Sequence, residues 1–249
     1  MTTVRFTDVS AGYSGGVPIL HGVTAEFRPG EITTIVGPNG AGKSTVLRTA
    51  FGQTKTFSGK VLVDATEIQS LPSRRRIDIG IGFCPQGRCN FGQMTVAENL
   101  AMAGYTLPAQ RTQARARELR EQHPLLDQRW NQHVSDLSGG QQQIVEMAMA
   151  LLPEPKVLLV DEPSLGLSPS AQQEVFSLLR SVADSGTCVV LVEQNVRSAL
   201  NVSDHALVLD MGRVVMHEPA DKVMADDRIR DLYLGGTPRS TPSAGMEQS

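Results

Sequence analysis

The stretch that decides the fold is Gly37-Pro38-Asn39-Gly40-Ala41-Gly42-Lys43-Ser44-Thr45, which fits the pattern G-x-x-x-x-G-K-[ST]. The β-branched residues at 31–36 before it indicate a buried strand, and residues 43–51 after it have helical composition up to Gly52. A strand that feeds a helix through glycines presents backbone N–H groups and the positive end of the helix dipole to a polyphosphate. The stretch therefore predicts a phosphate loop for ATP, in which Lys43 reaches the β- and γ-phosphates and Ser44 ligates Mg²⁺.

A second part of the site is predicted where the strand at 156–160 ends. Four consecutive apolar residues indicate a strand buried on both faces of a parallel sheet, and ligands gather at the carboxyl ends of such strands. Asp161 and Glu162 follow directly. We expect Asp161 to hold Mg²⁺ through water, and Glu162 to orient the water that attacks the γ-phosphate or to accept its proton. The alternative, an acidic pair that caps the next helix, is disfavoured by the phosphate loop elsewhere in the chain.

Residues 137–141, Leu-Ser-Gly-Gly-Gln, predict another anion cradle. Ser138 supplies a hydroxyl, and Gly139 and Gly140 allow backbone N–H groups to approach a phosphate at the start of a helix. That helix is predicted to bury Ile144, Met147, Ala148, Leu151 and Leu152. One chain cannot easily place both cradles on one nucleotide, so a second chain is expected to complete the site. The alternative is an ordinary turn at the start of a helix.

These motifs, in this order, resemble those of the ATP-binding cassette (ABC) ATPases, and the resemblance covers residues 4–236. It implies an α/β P-loop NTPase fold with a RecA-like core, an antiparallel β subdomain and a helical insertion. It also implies that Tyr13 stacks on adenine and that Gln86 senses the γ-phosphate and Mg²⁺ beside the membrane partner. Residues 137–141 match the family signature, which caps the ATP of a second cassette. Residues 164–168 lie where the family has its D-loop, a dimer-contact segment.

The chain departs from the family pattern after the strand predicted at 188–192. Most family members place a histidine two residues beyond this strand to contact the γ-phosphate, whereas this chain has Glu193, Gln194 and Asn195. Glutamine donates a hydrogen bond but does not titrate or carry charge near neutral pH. Two alternatives follow: an active ATPase site, or a largely regulatory nucleotide site whose sister subunit hydrolyses ATP.

The variant at 193–195, together with residues 87–88, 94–102 and 232–236, resembles the F-type ATP-binding subunit of bacterial branched-chain amino acid importers. This implies ATP hydrolysis coupled to uptake, two different cassettes, two integral-membrane permease subunits and, indirectly, an extracytoplasmic binding protein. Residues 88–95 beside Gln86 are the expected seat of a cytoplasmic permease helix. Urea, short-chain amides and other amino acids stay open as cargo. A homodimer and a non-transport ABC ATPase also stay open.

The predicted site residues fall into three groups. Those expected to contact nucleotide are Tyr13, Gly37, Pro38, Asn39, Gly40, Ala41, Gly42, Lys43, Ser44, Thr45, Ser138, Gly139, Gly140 and Gln141. Those expected to position Mg²⁺ are Ser44, Gln86 and Asp161. Those expected to act in hydrolysis are Lys43, Gln86, Glu162 and Gln194.

Composition agrees with a cytoplasmic subunit, and the resemblance implies that this subunit meets the inner face of the cell membrane through its permease partners. The 249 residues suffice for one α/β core with a helical insertion, and the net charge of −3 gives no electrostatic footprint for nucleic acid. The sequence shows no run of about 18 apolar residues and no signal-peptide pattern. Its three cysteines have no metal-ligand spacing and are expected to be reduced thiols.

We expect an ABC ATPase domain over residues 1–234. Its core and β subdomain are assigned to 1–93 and 145–234, its helical subdomain to about 94–144, and a disordered tail to 235–249. Strands at 4–9, 23–27 and 60–64 are predicted to form the antiparallel sheet.

Two basic stretches call for a choice between nucleic-acid contact and a solvated surface. In residues 110–122 the arginines alternate with glutamate and glutamine, which favours a solvated helix face. The run Arg74-Arg75-Arg76 is likewise predicted to lie on the surface.

Overall fold

The structure is a computed structural model that describes residues 2–13 and 15–229. Its strands are β1 (Val4–Gly12), β2 (Leu20–Phe27), β3 (Ile32–Val36), β4 (Lys55–Val63), β5 (Thr66–Glu67), β6 (Ile81–Cys84), β7 (Val157–Asp161), β8 (Cys188–Val192), β9 (His205–Asp210) and β10 (Arg213–Pro219). Its α-helices are α1 (Lys43–Phe51), α2 (Ser73–Asp78), α3 (Val96–Ala103), α4 (Ala109–Gln122), α5 (Pro124–Gln128), α6 (Gly139–Leu151), α7 (Pro169–Asp184), α8 (Val196–Leu200) and α9 (Ala220–Ala225). The tail predicted at 235–249 and the motif at 232–236 lie outside the described residues.

The central sheet has the strand order β10-β9-β3-β8-β7-β6. Its strands run parallel except β10, which pairs antiparallel with β9. Every residue of β3, β7 and β8 is buried, as expected for apolar strands of a parallel sheet covered on both faces. Val192 of β8 pairs with Ile35 of β3 on one side and with Asp161 of β7 on the other. This register brings the carboxyl ends of the three strands level, at one edge of the sheet.

A second, antiparallel sheet has the order β2-β1-β4-β5. The predicted strands are confirmed but extend further, because β1 continues to Gly12 and β4 begins at Lys55. Its inner face packs with α1 and the central sheet in one apolar cluster, in which Phe6 and Phe27 meet edge to face at 6.0 Å. The continuation of β1 carries the chain to Tyr13, beside α1.

Between β6 and β7 the described chain forms the helices α3 to α6, joined through a 3₁₀ turn at Val134–Asp136. Helix α3 begins with a capping box, in which the Thr95 hydroxyl accepts the Glu98 N–H and the Glu98 carboxylate accepts the Thr95 N–H. On α4, Arg111 pairs with Glu154 at 2.8 Å, on the solvated face that the sequence predicts. Within residues 2–13 and 15–229, no helix combines the length and apolarity required to cross a bilayer.

The prediction that Arg74–Arg76 lies on the surface is wrong for Arg76. Its side chain is 1% exposed, and its guanidinium donates to the carbonyls of Thr49 (2.6 Å) and Ala50 (2.9 Å) in the last turn of α1. It also donates to the carbonyls of Leu71 and Gln69. Burial lowers the pKa of Arg76 to about 10. Because the last carbonyls of a helix lack partners within the helix, Arg76 closes the carboxyl end of the helix that follows the phosphate loop.

Candidate functional site

The phosphate loop, residues 37–45, joins β3 to α1 as predicted. Gly42 has φ +99, a left-handed conformation that side chains rarely adopt. A Cβ on Gly37 would lie 2.0 Å from the carbonyl oxygen of Leu209. The residue that precedes α1, Gly42, offers no side-chain cap to the first N–H groups of the helix. These donors are therefore left for an anion at the start of α1.

Lys43 lies inside the curve of this loop. Its Nζ donates to the carbonyls of Gly37 (2.8 Å) and Pro38 (3.0 Å), and the residue is only 7% exposed. Burial lowers the pKa of Lys43, and the carboxylates of Glu162 and Asp161 act in the opposite direction. The ammonium group is thus largely desolvated and held where the loop would receive a phosphate.

Ser44 and Asp161 come together across the site, although 117 positions separate them in sequence. The Ser44 hydroxyl donates to Oδ1 of Asp161 at 2.9 Å, and Asp161 is 1% exposed. Burial raises the pKa of Asp161, against the effect of the Ser44 hydrogen bond. Oδ2 of Asp161 is buried without a hydrogen-bond partner in the described part of the chain. A hydroxyl beside a carboxylate with a free oxygen fits the oxygen ligation of Mg²⁺.

Glu162 lies between two glutamines. Nε2 of Gln86 and Nε2 of Gln194 each donate to Oε2 of Glu162 at 2.7 Å. The Glu162 backbone has φ +51, a left-handed conformation that costs a non-glycine residue about 1–2 kcal/mol, and its N–H donates to Val192 at 2.8 Å. Strain of this kind at a polar cleft is a sign of function. The fold therefore groups three residues predicted to act in hydrolysis, at the ends of β6, β7 and β8.

Tyr13 lies beside the first half of the site. Its hydroxyl accepts a hydrogen bond of 3.1 Å from Arg48 of α1, and the residue is 38% exposed. The ring is thus fixed at one end and partly open to solvent at the end of β1. Adenine stacking stays a prediction.

The signature forms the start of α6. The Ser138 hydroxyl accepts the Gln141 backbone N–H (3.3 Å), and the side-chain Oε1 of Gln141 accepts the Ser138 backbone N–H (3.1 Å). A Cβ on Gly140 would lie 2.5 Å from that of Ala171, so glycine allows α6 to approach α7 closely. The apolar residues predicted to face the core from α6 are buried. In the part of the chain that the structure describes, no side-chain hydrogen bond joins the signature to residues 37–45. Ser138 and Gly139 are exposed.

The family follows from this set of motifs and from comparison with known proteins. The family described as ABC transporter matches residues 20–165, more than half of the chain. The chain belongs to the ABC transporter family. It is therefore the ATP-binding, ATP-hydrolysing subunit of a transporter, and such ABC subunits act together with permease subunits in the membrane.

Three curated relatives resemble this ABC subunit along nearly its whole length. It is 40% identical to the high-affinity branched-chain amino acid transport ATP-binding protein BraG of Pseudomonas aeruginosa, over 94% of the chain and 100% of the relative. It is 36% identical to the probable branched-chain amino acid transport ATP-binding protein LivF of Archaeoglobus fulgidus, over 93% and 98%. It is 31% identical to the lipopolysaccharide export system ATP-binding protein LptB of Escherichia coli, over 94% and 98%.

Solved structures agree with the ABC fold. An ATP-binding cassette of an ABC transporter in its ADP conformation matches with a TM-score of 0.83 and 25% identity, over 95% of this chain and 100% of that chain. The predicted fold class is confirmed. The predicted resemblance to branched-chain importer subunits is confirmed as well.

Two buried carboxylates of the ABC subunit were not predicted as site residues. Glu193 is 2% exposed, and burial raises its pKa against hydrogen bonds from Ser164. Glu146 of α6 is 5% exposed, and its Oε1 accepts the Cys89 N–H (3.0 Å) and the Asn90 amide (2.5 Å) beyond Gln86. A charged residue directly after an all-apolar strand was the one sequence signal for Glu193.

Proposed function

We propose that this ATPase subunit energises the import of branched-chain amino acids. The observation that carries the proposal is the similarity to BraG, a branched-chain amino acid transport protein, at 40% identity over 94% of the chain and all of the relative. The probable LivF subunit adds support at 36% identity. LptB, which belongs to a lipopolysaccharide export system, is less similar at 31%.

ATP binds along residues 37–45 with its adenine against Tyr13. The uncapped start of α1 and the loop N–H groups receive the phosphates. Lys43 exchanges its contacts with the Gly37 and Pro38 carbonyls for phosphate oxygens, which it can do because its ammonium group is already desolvated.

Ser44, Asp161 and Gln86 hold Mg²⁺. The support is the Ser44 hydroxyl bonded to Asp161 and the free buried Oδ2 of the same carboxylate. When bound, Mg²⁺ neutralises charge on the phosphates. The free Oδ2 of Asp161 would accept a hydrogen bond from a water on the metal.

Glu162 acts on the attacking water. The water oxygen bonds to the γ-phosphorus, the bond from that phosphorus to the β–γ bridging oxygen breaks, and Glu162 takes the water proton, giving ADP and phosphate. The Gln86 and Gln194 amides aim the carboxylate, since both donate to the same oxygen. The remaining oxygen, Oε1, is the one available to the water.

A second cassette completes the site, and a different chain is favoured over a second copy. The exposed Ser138 and Gly139 cap the ATP of the partner, so ATP holds the two cassettes together and hydrolysis releases them. Residues 88–95 receive a cytoplasmic permease helix, supported by the 46% exposure of Phe91, which follows the Glu146-bound residues Cys89 and Asn90. The subunit is thereby cytoplasmic and peripheral on the inner face of the membrane, and it meets the binding protein only indirectly.

Transport by the assembled complex in proteoliposomes tests this function. Radiolabelled leucine, valine and isoleucine should accumulate with ATP and the complex's own binding protein, whereas urea and acetamide should not. Accumulation of urea or acetamide without leucine would show that this subunit energises the import of a different cargo. An ATPase stimulated by DNA or ribosomes but not by permeases would favour a non-transport protein.

The regulatory alternative is tested on the same complex. The substitution Lys43→Ala is made in this chain and, separately, at the equivalent lysine of the sister cassette. Comparing ATP turnover of the two variants shows how much hydrolysis occurs at each phosphate loop. We expect each change to lower transport-coupled hydrolysis. Full turnover with Lys43→Ala in this chain would assign hydrolysis to the sister subunit.

A further inference from the structure

We infer that Glu193 is a positioning residue that ties the D-loop, residues 164–168, to the carboxylate of Glu162 through Gln194. This inference rests on the proposed role of Glu162 in hydrolysis. It concerns a buried side chain, 2% exposed, that is not among the residues proposed to contact nucleotide.

The first tie is the carboxylate of Glu193 itself. Its Oε1 accepts the backbone N–H of Ser164 at 2.9 Å, and its Oε2 accepts the backbone N–H of Gln194 at 3.1 Å. Glu193 and Ser164 are both 2% exposed. A carboxylate is an acceptor at both oxygens, so it satisfies two buried N–H donors, one in the D-loop and one after β8. The D-loop and the segment after β8 are thus joined through one side chain.

A second tie runs through Gln172 of α7. Its Nε2 donates to the carbonyls of Ser164 (3.4 Å) and Leu167 (3.2 Å), and its Oε1 accepts from the Asn195 amide (3.3 Å). These bonds are longer than those of Glu193. They join the D-loop to the other end of the tripeptide 193–195.

Gln194 is the middle residue of this tripeptide, and its side chain contacts Glu162 instead of the D-loop. Its Nε2 reaches Oε2 of Glu162 at 2.7 Å, while its backbone N–H is held by Glu193. A displacement of the D-loop therefore moves the backbone from which the Gln194 side chain reaches Glu162. Residues 193–195 thus belong to one hydrogen-bonded unit. Glu193 contacts the D-loop directly and Asn195 contacts it through Gln172. Gln194, between them, contacts the proposed base.

Part of the D-loop is exposed and accessible to a second cassette. Leu165 is 54% exposed and Gly166 is open to solvent, whereas Ser164 is buried on Glu193. A second cassette that presses on Leu165 acts on a segment anchored at the Glu193 carboxylate. We therefore expect the alignment of the attacking water to depend on contact between the D-loop and the second cassette.

The test uses Glu193→Gln in the assembled complex. Glutamine keeps the shape of the side chain but has one oxygen, whereas the Ser164 and Gln194 N–H groups each require an acceptor. One of the two hydrogen bonds that Glu193 accepts is therefore lost. We expect kcat for ATP to fall about tenfold, since small misplacements of catalytic groups cost up to about a hundredfold. The KM for ATP should stay within about twofold, because residues 37–45 are untouched.

A double-mutant comparison separates positioning from general damage. If Glu193 acts through Gln194, Glu193→Gln should change kcat by less than about twofold in the Gln194→Ala background. An equal fall in both backgrounds, or wild-type kcat for Glu193→Gln alone, would overturn the inference. Wild-type turnover by Glu162→Gln would instead overturn the proposed base.

Gln172→Met supplies a second variant if Glu193→Gln fails to fold. It should lower kcat in the same direction and by a smaller factor, at unchanged KM. The control is Gln173→Met, at an exposed neighbour on α7, which should leave kcat and melting temperature unchanged. Equal kcat for Gln172→Met and Gln173→Met would contradict the second tie and, where Glu193→Gln does not fold, the inference.

Discussion

Nε2 of Gln194 lies 2.7 Å from Oε2 of Glu162 and donates a hydrogen bond to it. The same oxygen accepts from Gln86, so one carboxylate oxygen is held by two neutral amides. Neither amide titrates near neutral pH, whereas a histidine in place of Gln194 would. The orientation of the proposed base is thus independent of a protonation step in its partner.

Gln194→His tests what the amide contributes. The imidazole can donate to Glu162 and, when protonated, place charge beside the γ-phosphate, so we expect hydrolysis to rise severalfold. The rate should also acquire a step near pH 6.5, the ordinary histidine pKa, with the higher rate on the acid side. Turnover of the complex between pH 6 and 8 measures both effects. An unchanged or lower rate would show that glutamine is suited to its surroundings.

Glu162→Gln should separate ATP binding from hydrolysis. The amide cannot take the water proton, so kcat should fall by about a hundredfold or more, in the range of general-base effects. Affinity for ATP should change little, because residues 37–45 keep their contacts. The nucleotide-bound pair of cassettes should live longer, as seen by size-exclusion chromatography with light scattering. An unchanged hydrolysis rate in the assembled complex would remove Glu162 as the base.

Arg76→Met should destabilise the subunit. Its loss leaves the Ala50 carbonyl at the end of α1 without its guanidinium donor and leaves the Thr49 carbonyl with only the Gly52 N–H, at a cost of about 2–4 kcal/mol in free energy of unfolding. Urea denaturation measures the change. The matched control is Arg75→Met, whose side chain is 71% exposed and should change stability by less than about 0.5 kcal/mol. Equal effects of the two substitutions would refute the assigned role of Arg76.

Glu146→Gln should change how stability depends on pH. Burial raises the pKa of Glu146, against hydrogen bonds from Cys89 and Asn90. The folded state therefore binds this proton more tightly than the unfolded state. Its contribution to the free energy of unfolding falls as pH rises from the unfolded pKa through the raised folded pKa.

In Glu146→Gln this side chain no longer titrates. The free energy of unfolding of Glu146→Gln should therefore increase relative to that of wild type between pH 4.5 and pH 8. Urea midpoints at several pH values measure the difference. Glu174→Gln, at an exposed carboxylate on α7, serves as the control. A difference between Glu146→Gln and wild type that is constant across this range would argue against a buried titrating carboxyl.

The parts of the site that were predictable are those written in short, local patterns. The phosphate loop needs glycine at Gly37 and Gly42 for steric and conformational reasons, so its spacing is visible in any sequence that contains it. Strands β7 and β8 were visible because a strand covered on both faces is apolar over almost its whole length, and β3 was visible from its β-branched residues. Their carboxyl ends then fixed where Asp161 and Glu162 lie.

What could not be predicted depends on contacts between distant segments. Arg76 looked like surface because its neighbours are also arginine, and its burial follows from the carbonyls of Thr49 and Ala50. No role was predicted for Glu193, because its contact is with the Ser164 N–H, 29 residues earlier in the chain. Such pairings are set by how the strands align in the sheet, which the pattern of single residues does not specify.

The exposed signature is the basis of the claim that two cassettes share each ATP. A cysteine at Ser138 can report this, provided that the exposed Cys89 is first replaced by serine. Cys84 and Cys188 are buried, and burial raises the pKa of both thiols, that of Cys188 to about 12. Maleimide labelling would therefore report position 138.

The control is Ser185→Cys at the far end of α7. Ser185 follows Ala171, the residue of α7 that contacts Gly140, by 14 positions, which is about 21 Å along the helix.

The decisive measurement is the rate of maleimide labelling of Ser138→Cys in the assembled complex, with Glu162→Gln present to block hydrolysis. Shared sites predict that ATP and Mg²⁺ slow labelling at position 138 by about tenfold or more while the rate at position 185 stays constant. Equal labelling of position 138 with and without ATP would contradict the account.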